Sequence, residues 1–155
     1  MRNLQFCFVI ILLMSNSCTK NQYEMEEKKI QRLIEECYLN GALNNMETEE
    51  MRRGYHEDFA IFFKEGTTLQ KLPLENWITM VNSYKNGHNK NSGLRNFESE
   101  ILQVDVTEDA AFVKLNLSRN NVLVFTDYIT LLKFDEKWKI VTKIYHSHIE
   151  NPWIL

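Results

Sequence analysis

Asp127 is a carboxylate set inside an otherwise apolar run, VLVFTDYITLL over residues 122–132. An ionised carboxylate withdrawn from water costs several kcal/mol or is pushed toward its protonated form. Such a group therefore faces water, has a donor, or lines a polar pocket. Ten positions on, the run KWKIVTKIYHSH (residues 137–148) resumes the same strand chemistry and carries Lys143, His146 and His148. With a two-residue turn at Asp135-Glu136, Phe134 faces Lys137, Asp127 faces Ile144, Tyr128 faces Lys143 and Phe125 faces His146. A phenol beside an ammonium is a donor pair that orients an anionic or carbonyl ligand, although ordinary sheet packing with a solvated ammonium needs only the same two residues. His146 and His148 share a strand face at a spacing that allows two imidazoles to share a metal. No third ligand is evident, so no metal and no cofactor are expected. His146 is read as structural or pocket-lining and His148 as exposed near the strand end.

The elements that must position these groups follow from residue type. β-Branched and aromatic residues mark both arms of a hairpin from Val122 to His148. Two further strands, 96–106 and 110–118, precede it, with turns at 107–109 and 119–121. Upstream, Ile30, Leu33, Ile34, Cys37 and Tyr38 fall at helical spacing, with Glu26, Lys28, Arg32 and Glu35 opposite. Asn21 with Glu24 caps that helix, and Asn44 with Glu47 caps a second, short helix over 46–53. Residues 54–58 read as a loop, 59–63 as a strand and 68–72 as a partner strand. Pro73 opens a third helix carrying Leu74, Trp77, Ile78, Val81 and Tyr84, which Asn86-Gly87 ends. Helices first and a strand meander last indicate an α+β fold, with three helices from the N-terminal half on one face of a curved antiparallel sheet.

Composition limits the function classes. The chain has 155 residues, a formal net charge of -3 and a pI near 5.8, which give no reason to expect a nucleic-acid partner. Arg2, the apolar stretch from Phe6 to Met14 and the small residues before Cys18 form a secretory signal, too short for a spanning helix, which needs about 20 apolar residues. The run ending in Cys18 resembles a bacterial lipoprotein box, although Ser15 stands where Leu is usual. That resemblance implies lipidation at Cys18. The expected organisation is a signal over 1–18, a tether over 19–23, one domain over 24–150 and a tail over 151–155. Cys7 falls in the signal, so Cys37 is left without an internal partner and reads as a small core residue. No GxSxG, HExxH, CxxC or phosphate-cradling glycine loop is present.

The run FTDYITLLKFDEKWKIVTKIYH, residues 125–146, resembles the C-terminal hairpin of the putative lumazine-binding family, a branch of the nuclear transport factor 2-like (SnoaL-like) superfamily. The apolar helix into Tyr38-Leu39-Asn40-Gly41 and the short helix into Tyr55-His56-Glu57-Asp58 fit the same pattern. Glu136 departs from it where Gly is usual, as do Asn44-Asn45 where Gly-Asp is frequent. The resemblance implies a cone with helices across its concave face and a pocket at its mouth. It then implies that Tyr38 and Trp77 floor or wall the pocket, that Asp127 lines it, and that His56 near the mouth is a candidate acid or base.

Three readings compete. One is an exported cell-envelope lipoprotein, anchored to a membrane through Cys18, whose cone binds a small, partly apolar molecule through Tyr38, Trp77, Asp127, Tyr128, Lys143 and His146. The second is a homodimeric interaction module that uses its exposed sheet face. The third is an isomerase, cyclase or dehydratase with Asp127 or His56 as the base. An open cavity or one filled by the chain's own rings separates them.

Overall fold

The structure, a computed structural model, describes residues 22–88 and 90–150. The signal, Cys18, most of the tether and the tail lie outside the described residues. Helix α1 begins as an ordinary helix over 22–33 and continues as a wider π-type helix, Ile34–Leu43. Helix α2 spans Thr48–Gly54 and α3 spans Leu74–Asn86. The strands are β1 Tyr55–Glu65, β2 Thr68–Pro73, β3 Glu98–Thr107, β4 Ala110–Arg119, β5 Val122–Phe134 and β6 Lys137–Ser147.

The strands form one curved sheet in the order β2-β1-β6-β5-β4-β3, and it does not close on itself. The α+β cone expected from the sequence is present, with one correction to its sheet. The β1–β6 pair is parallel, so the sheet is mixed and not antiparallel throughout. A hairpin forces antiparallel pairing. β1 and β6 are not joined by one, so nothing in the connection opposes the parallel arrangement.

The core lies between the helices and the concave face. Along β5, Phe125, Asp127, Ile129 and Leu131 point inward, and along β4, Val113, Leu115 and Leu117 do. Ile30, Ile34 and Tyr38 of α1 and Trp77, Ile78 and Val81 of α3 close over them. Burying each apolar side chain among them contributes roughly 1.5–3 kcal/mol. Cys37 is buried and free of disulfide, and burial pushes its thiol up to about 11. It lies directly over Gly54: a Cβ built there would sit 2.3 Å from the Cys37 Cβ, so only glycine lets α2 approach α1.

Several local assignments change. β1 starts at Tyr55, so His56 and Asp58 belong to a strand and not to a loop. Asn44 does not cap α2. It ends α1, and its amide clamps the Phe97 backbone both ways, at 2.8 and 2.9 Å. Glu26 is not on a solvated face: its carboxylate accepts from the Trp138 indole at 2.6 Å and from Lys29 at 2.8 Å, and Lys133 lies 3.3 Å away. These cations and the indole hold it at about 2, against the usual 4.5, and fasten the start of α1 to the last hairpin.

The turn at Asp135-Glu136 is the two-residue turn expected, with Phe134 opposite Lys137. Both turn residues have positive φ, 44° and 63°, the backbone of a type I′ turn built without glycine. Further along, β6 carries a bulge between Ile140 and Thr142. It shifts the register by one residue. Beyond it Tyr128 faces Ile144, Asp127 faces Tyr145 and Phe125 faces Ser147, so each pairing expected there is replaced.

Candidate functional site: a Lys143–Tyr38–Asp127 cluster under an apolar cavity

The bulge decides which side chains of β6 meet the core. A one-residue slip moves a strand's side chains to the other face. Before it, Trp138 and Ile140 point inward; after it, Lys143 and Tyr145 do, and apolar Ile144 is left 53% exposed on the outer face. The same insertion puts Lys143 on the inner face beside Asp127. From the opposite side, α1 delivers Tyr38 where its turns are wide: the amide of Asn44 reaches back five residues to the Leu39 carbonyl at 2.7 Å.

The three groups form a closed cluster. The Tyr38 hydroxyl donates a short hydrogen bond to Asp127 Oδ2. Lys143 Nζ lies 3.3 Å from the same oxygen and donates to the Tyr38 hydroxyl at 3.1 Å. Asp127 is 0% exposed and Lys143 8%. The ammonium also sits within 5.0–5.6 Å of the ring centroids of Tyr38, Trp77 and Tyr145, an aromatic cage of the kind that holds cations. Burial pushes Lys143 below the usual amine value, and Asp127 opposes that shift. Burial, reinforced by the Asp127 charge, raises the Tyr38 phenol well above 10. Asp127 Oδ1 accepts no hydrogen bond among the described residues, so the carboxylate has capacity for one more donor.

Above the cluster lies an open cavity of about 400 Å³. Its wall is aliphatic and aromatic except for two cations, Lys143 and Arg95, and it includes Tyr38, Trp77, Phe125 and Tyr145. Rings line this space without filling it. Arg95 was not singled out from the sequence, where it sits at the end of a polar loop with no pattern around it. In the fold it is buried, donates to the Ala42 carbonyl and lies over the Tyr84 ring at 5.3 Å. Burial pulls its guanidinium below its ordinary value.

Of the candidate residues, Tyr38, Trp77, Asp127 and Lys143 come together. Asp127 does not line the cavity itself; it lies against Tyr38 and Lys143, which do. Tyr128 and His146 are corrected to the outer face, His146 by the bulge in β6 and Tyr128 because it alternates along β5 with the inward Asp127 and Ile129. Tyr128 stacks on Phe112 at 6.1 Å. His146 is exposed and meets His148 edge-on at 4.7 Å. His148 Nε2 bonds Thr126 Oγ1 at 2.9 Å. His56 stacks on Phe134 at 4.9 Å near the β5–β6 turn and accepts from the Asp58 amide at 3.2 Å, away from the cavity wall. Among the described residues no three His, Cys, Asp or Glu side chains gather as a metal site would require.

A curved open sheet, three helices across its hollow and a cavity between them define a nuclear transport factor 2-like cone. The chain belongs to the family described as "Putative lumazine-binding", whose model matches residues 25–146. Solved structures agree. A nuclear transport factor 2-like protein of unknown function from Shewanella baltica superposes with a TM-score of 0.65 at 22% identity, over 83% of this chain and 98% of that one. One from Silicibacter pomeroyi gives 0.65 at 17% identity, over 81% and 98%. One from Methylobacillus flagellatus gives 0.59 at 29% identity, over 79% and 91%. Among curated proteins, the aldolase FrzH from a Cladobotryum species is 24% identical over 113 residues, 72% of this chain and 84% of that protein.

Proposed function

We propose that the cone binds a small, largely apolar molecule whose carbonyl or anionic oxygen is turned toward Lys143. The observation that carries this is the open, ring-lined cavity with a caged ammonium on its wall. Ligand pockets combine an apolar lining with a few placed polar groups in this way. The rings supply contact area, and Lys143, Arg95 and the Tyr38 hydroxyl supply orientation. The family's description as lumazine-binding and a relative named as an aldolase are both compatible with a carbonyl-bearing ligand. The aldolase relative also favours a second reading, an enzyme acting on a carbonyl compound at the same cluster. In the cell we place the protein in the envelope, exported by residues 1–18 and anchored by lipid at Cys18. A homodimer would bury the outer sheet face, where Ile144 lies beside Tyr128.

The test is a titration of aromatic ketones, aldehydes and carboxylates followed by Trp fluorescence. Saturable quenching that disappears in Trp77→Phe and weakens tenfold or more (about 1.4 kcal/mol) in Lys143→Arg supports the reading. Absence of saturable binding across the panel refutes it. Membrane fractionation of Cys18→Ala tests the anchor: a variant that fractionates like the parent has none at that residue.

A further inference from the structure

Lys143 differs from the surface lysines in three ways that matter chemically. Its Nζ is in contact both with a carboxylate that can take its proton and with a hydroxyl that can pass one on. Its side chain opens onto an apolar cavity. Its surroundings are aromatic faces and not water. We infer that Lys143 is a nucleophile that forms an imine with an aldehyde or ketone bound in the cavity, an inference that rests on the small-molecule reading above.

The amine must be neutral to attack, and a lysine buried in an apolar pocket is the usual way to make it so at neutral pH. Here burial lowers the amine's pKa, and the nearby Arg95 charge lowers it further. Asp127 takes one proton from the ammonium, and the freed lone pair attacks the carbonyl carbon, forming a C–N bond. The carbonyl oxygen receives a proton from Tyr38, which regains one from the nitrogen through Asp127. A second proton reaches the oxygen by the same path, the C–O bond breaks and water leaves. The balance is RNH3+ + O=CR2 giving RNH+=CR2 + H2O, with no oxidant or reductant. One positive charge stands beside Asp127 before and after, so the buried carboxylate never loses its counter-charge. The ligand class is therefore an apolar or aromatic aldehyde or ketone, and an anionic substituent on it would be drawn to Arg95.

The experiment treats the full chain near neutral pH with 2-naphthaldehyde or, as a small probe that no steric limit excludes, propanal. Cyanoborohydride fixes any imine as a stable secondary amine, and peptide mapping locates it. The expected result is one dominant adduct on Lys143, formed roughly tenfold or more faster than on any other lysine, because its amine opens onto the cavity that holds the probe and burial disfavours its charged form. Tyr38→Phe slows its formation by roughly 10²-fold, the contribution of a positioned acid. Labelling of Lys143 no greater than that of surface lysines, with both probes, overturns the imine. Because this result is read on the unaltered protein, it does not depend on a variant folding. A parallel titration uses 2-naphthoate, which forms no imine. Naphthoate binding without Lys143 adduct removes the imine and leaves the binding reading standing; failure of both removes both.

Discussion

Removal of the Lys143 charge isolates the energetics of the cluster. Lys143→Met keeps the stem's volume and deletes the ammonium, leaving a wholly buried Asp127 with the Tyr38 hydroxyl as its donor. At 3.3 Å the lost Coulomb attraction is about 5 kcal/mol for an effective dielectric near 20. Part of this is offset, because the ammonium no longer has to be desolvated. Removing one partner of a buried pair costs about 3–5 kcal/mol in comparable cases. In a domain of this size each kcal/mol moves Tm by about 2–4 °C, so Tm should fall by roughly 6–20 °C. The double variant Lys143→Met/Asp127→Leu replaces the pair with apolar groups, and it should return to within about 1 kcal/mol of the parent. Asp127→Leu alone should cost less than Lys143→Met, because the stranded amine can go neutral in a site that already disfavours its charge. Urea unfolding followed by Trp fluorescence measures all four proteins. A Lys143→Met cost below about 1 kcal/mol, or a double variant no better than that single one, would refute the buried-pair account.

Other predictions rest on separate features. The Tyr55 hydroxyl is buried without a partner among the described residues, so Tyr55→Phe should be neutral or stabilising by about 1 kcal/mol in the same unfolding assay. Its phenol is held well above 10 by burial, so above pH 10 the unfolded chain loses a proton that the fold keeps, and stability falls as pH rises; Tm measured from pH 9 to 11 should fall less in Tyr55→Phe. Glu26, held at about 2, stabilises the fold above pH 4.5, and that contribution is lost as pH falls from 4.5 toward 2; Glu26→Gln should flatten the acid limb of the Tm–pH curve. Gly54→Ala drives a methyl into Cys37 and should cost about 1–3 kcal/mol, and Cys37→Ala should leave most of that cost in a double-variant cycle, because the nearest atom is the Cys37 Cβ, which alanine keeps.

Much of the fold was legible because period and residue type agree along the chain. The strand ends at Val122, Phe134 and Lys137, the helix opened by Pro73 and the alternation on β4 are all carried by local preferences. The site was half legible. Asp127 stood out as a carboxylate among apolar residues, and Lys143 as a cation on the facing strand, but their mutual geometry depends on the bulge. Val141 is as good a strand residue as its neighbours, so residue type carries no mark of the extra position, and alternation counted back from the turn puts Lys143 opposite the wrong residue. The start of β1 was missed because His56, Glu57 and Asp58 are polar. Its pairing with β6 is sparse there, passing from Tyr55 directly to Ala60, so no inward alternation imposed an apolar pattern. The wide turns of α1 and the clamp of Asn44 on Phe97 are tertiary facts, set by what the helix packs on.

The parallel seam between β1 and β6 has a kinetic corollary. Thr142 Oγ1 reaches the Ala60 carbonyl across 82 residues of chain. During synthesis the β1–β2 ribbon is therefore made long before its inner neighbour exists, and its unpaired border is left without a template until β6 is made. Long-separation contacts of this kind slow folding, and open strand borders favour intermolecular stacking meanwhile. A nascent polypeptide stalled before Lys137 would hold all three helices and still lack the strand that joins the two halves of the sheet.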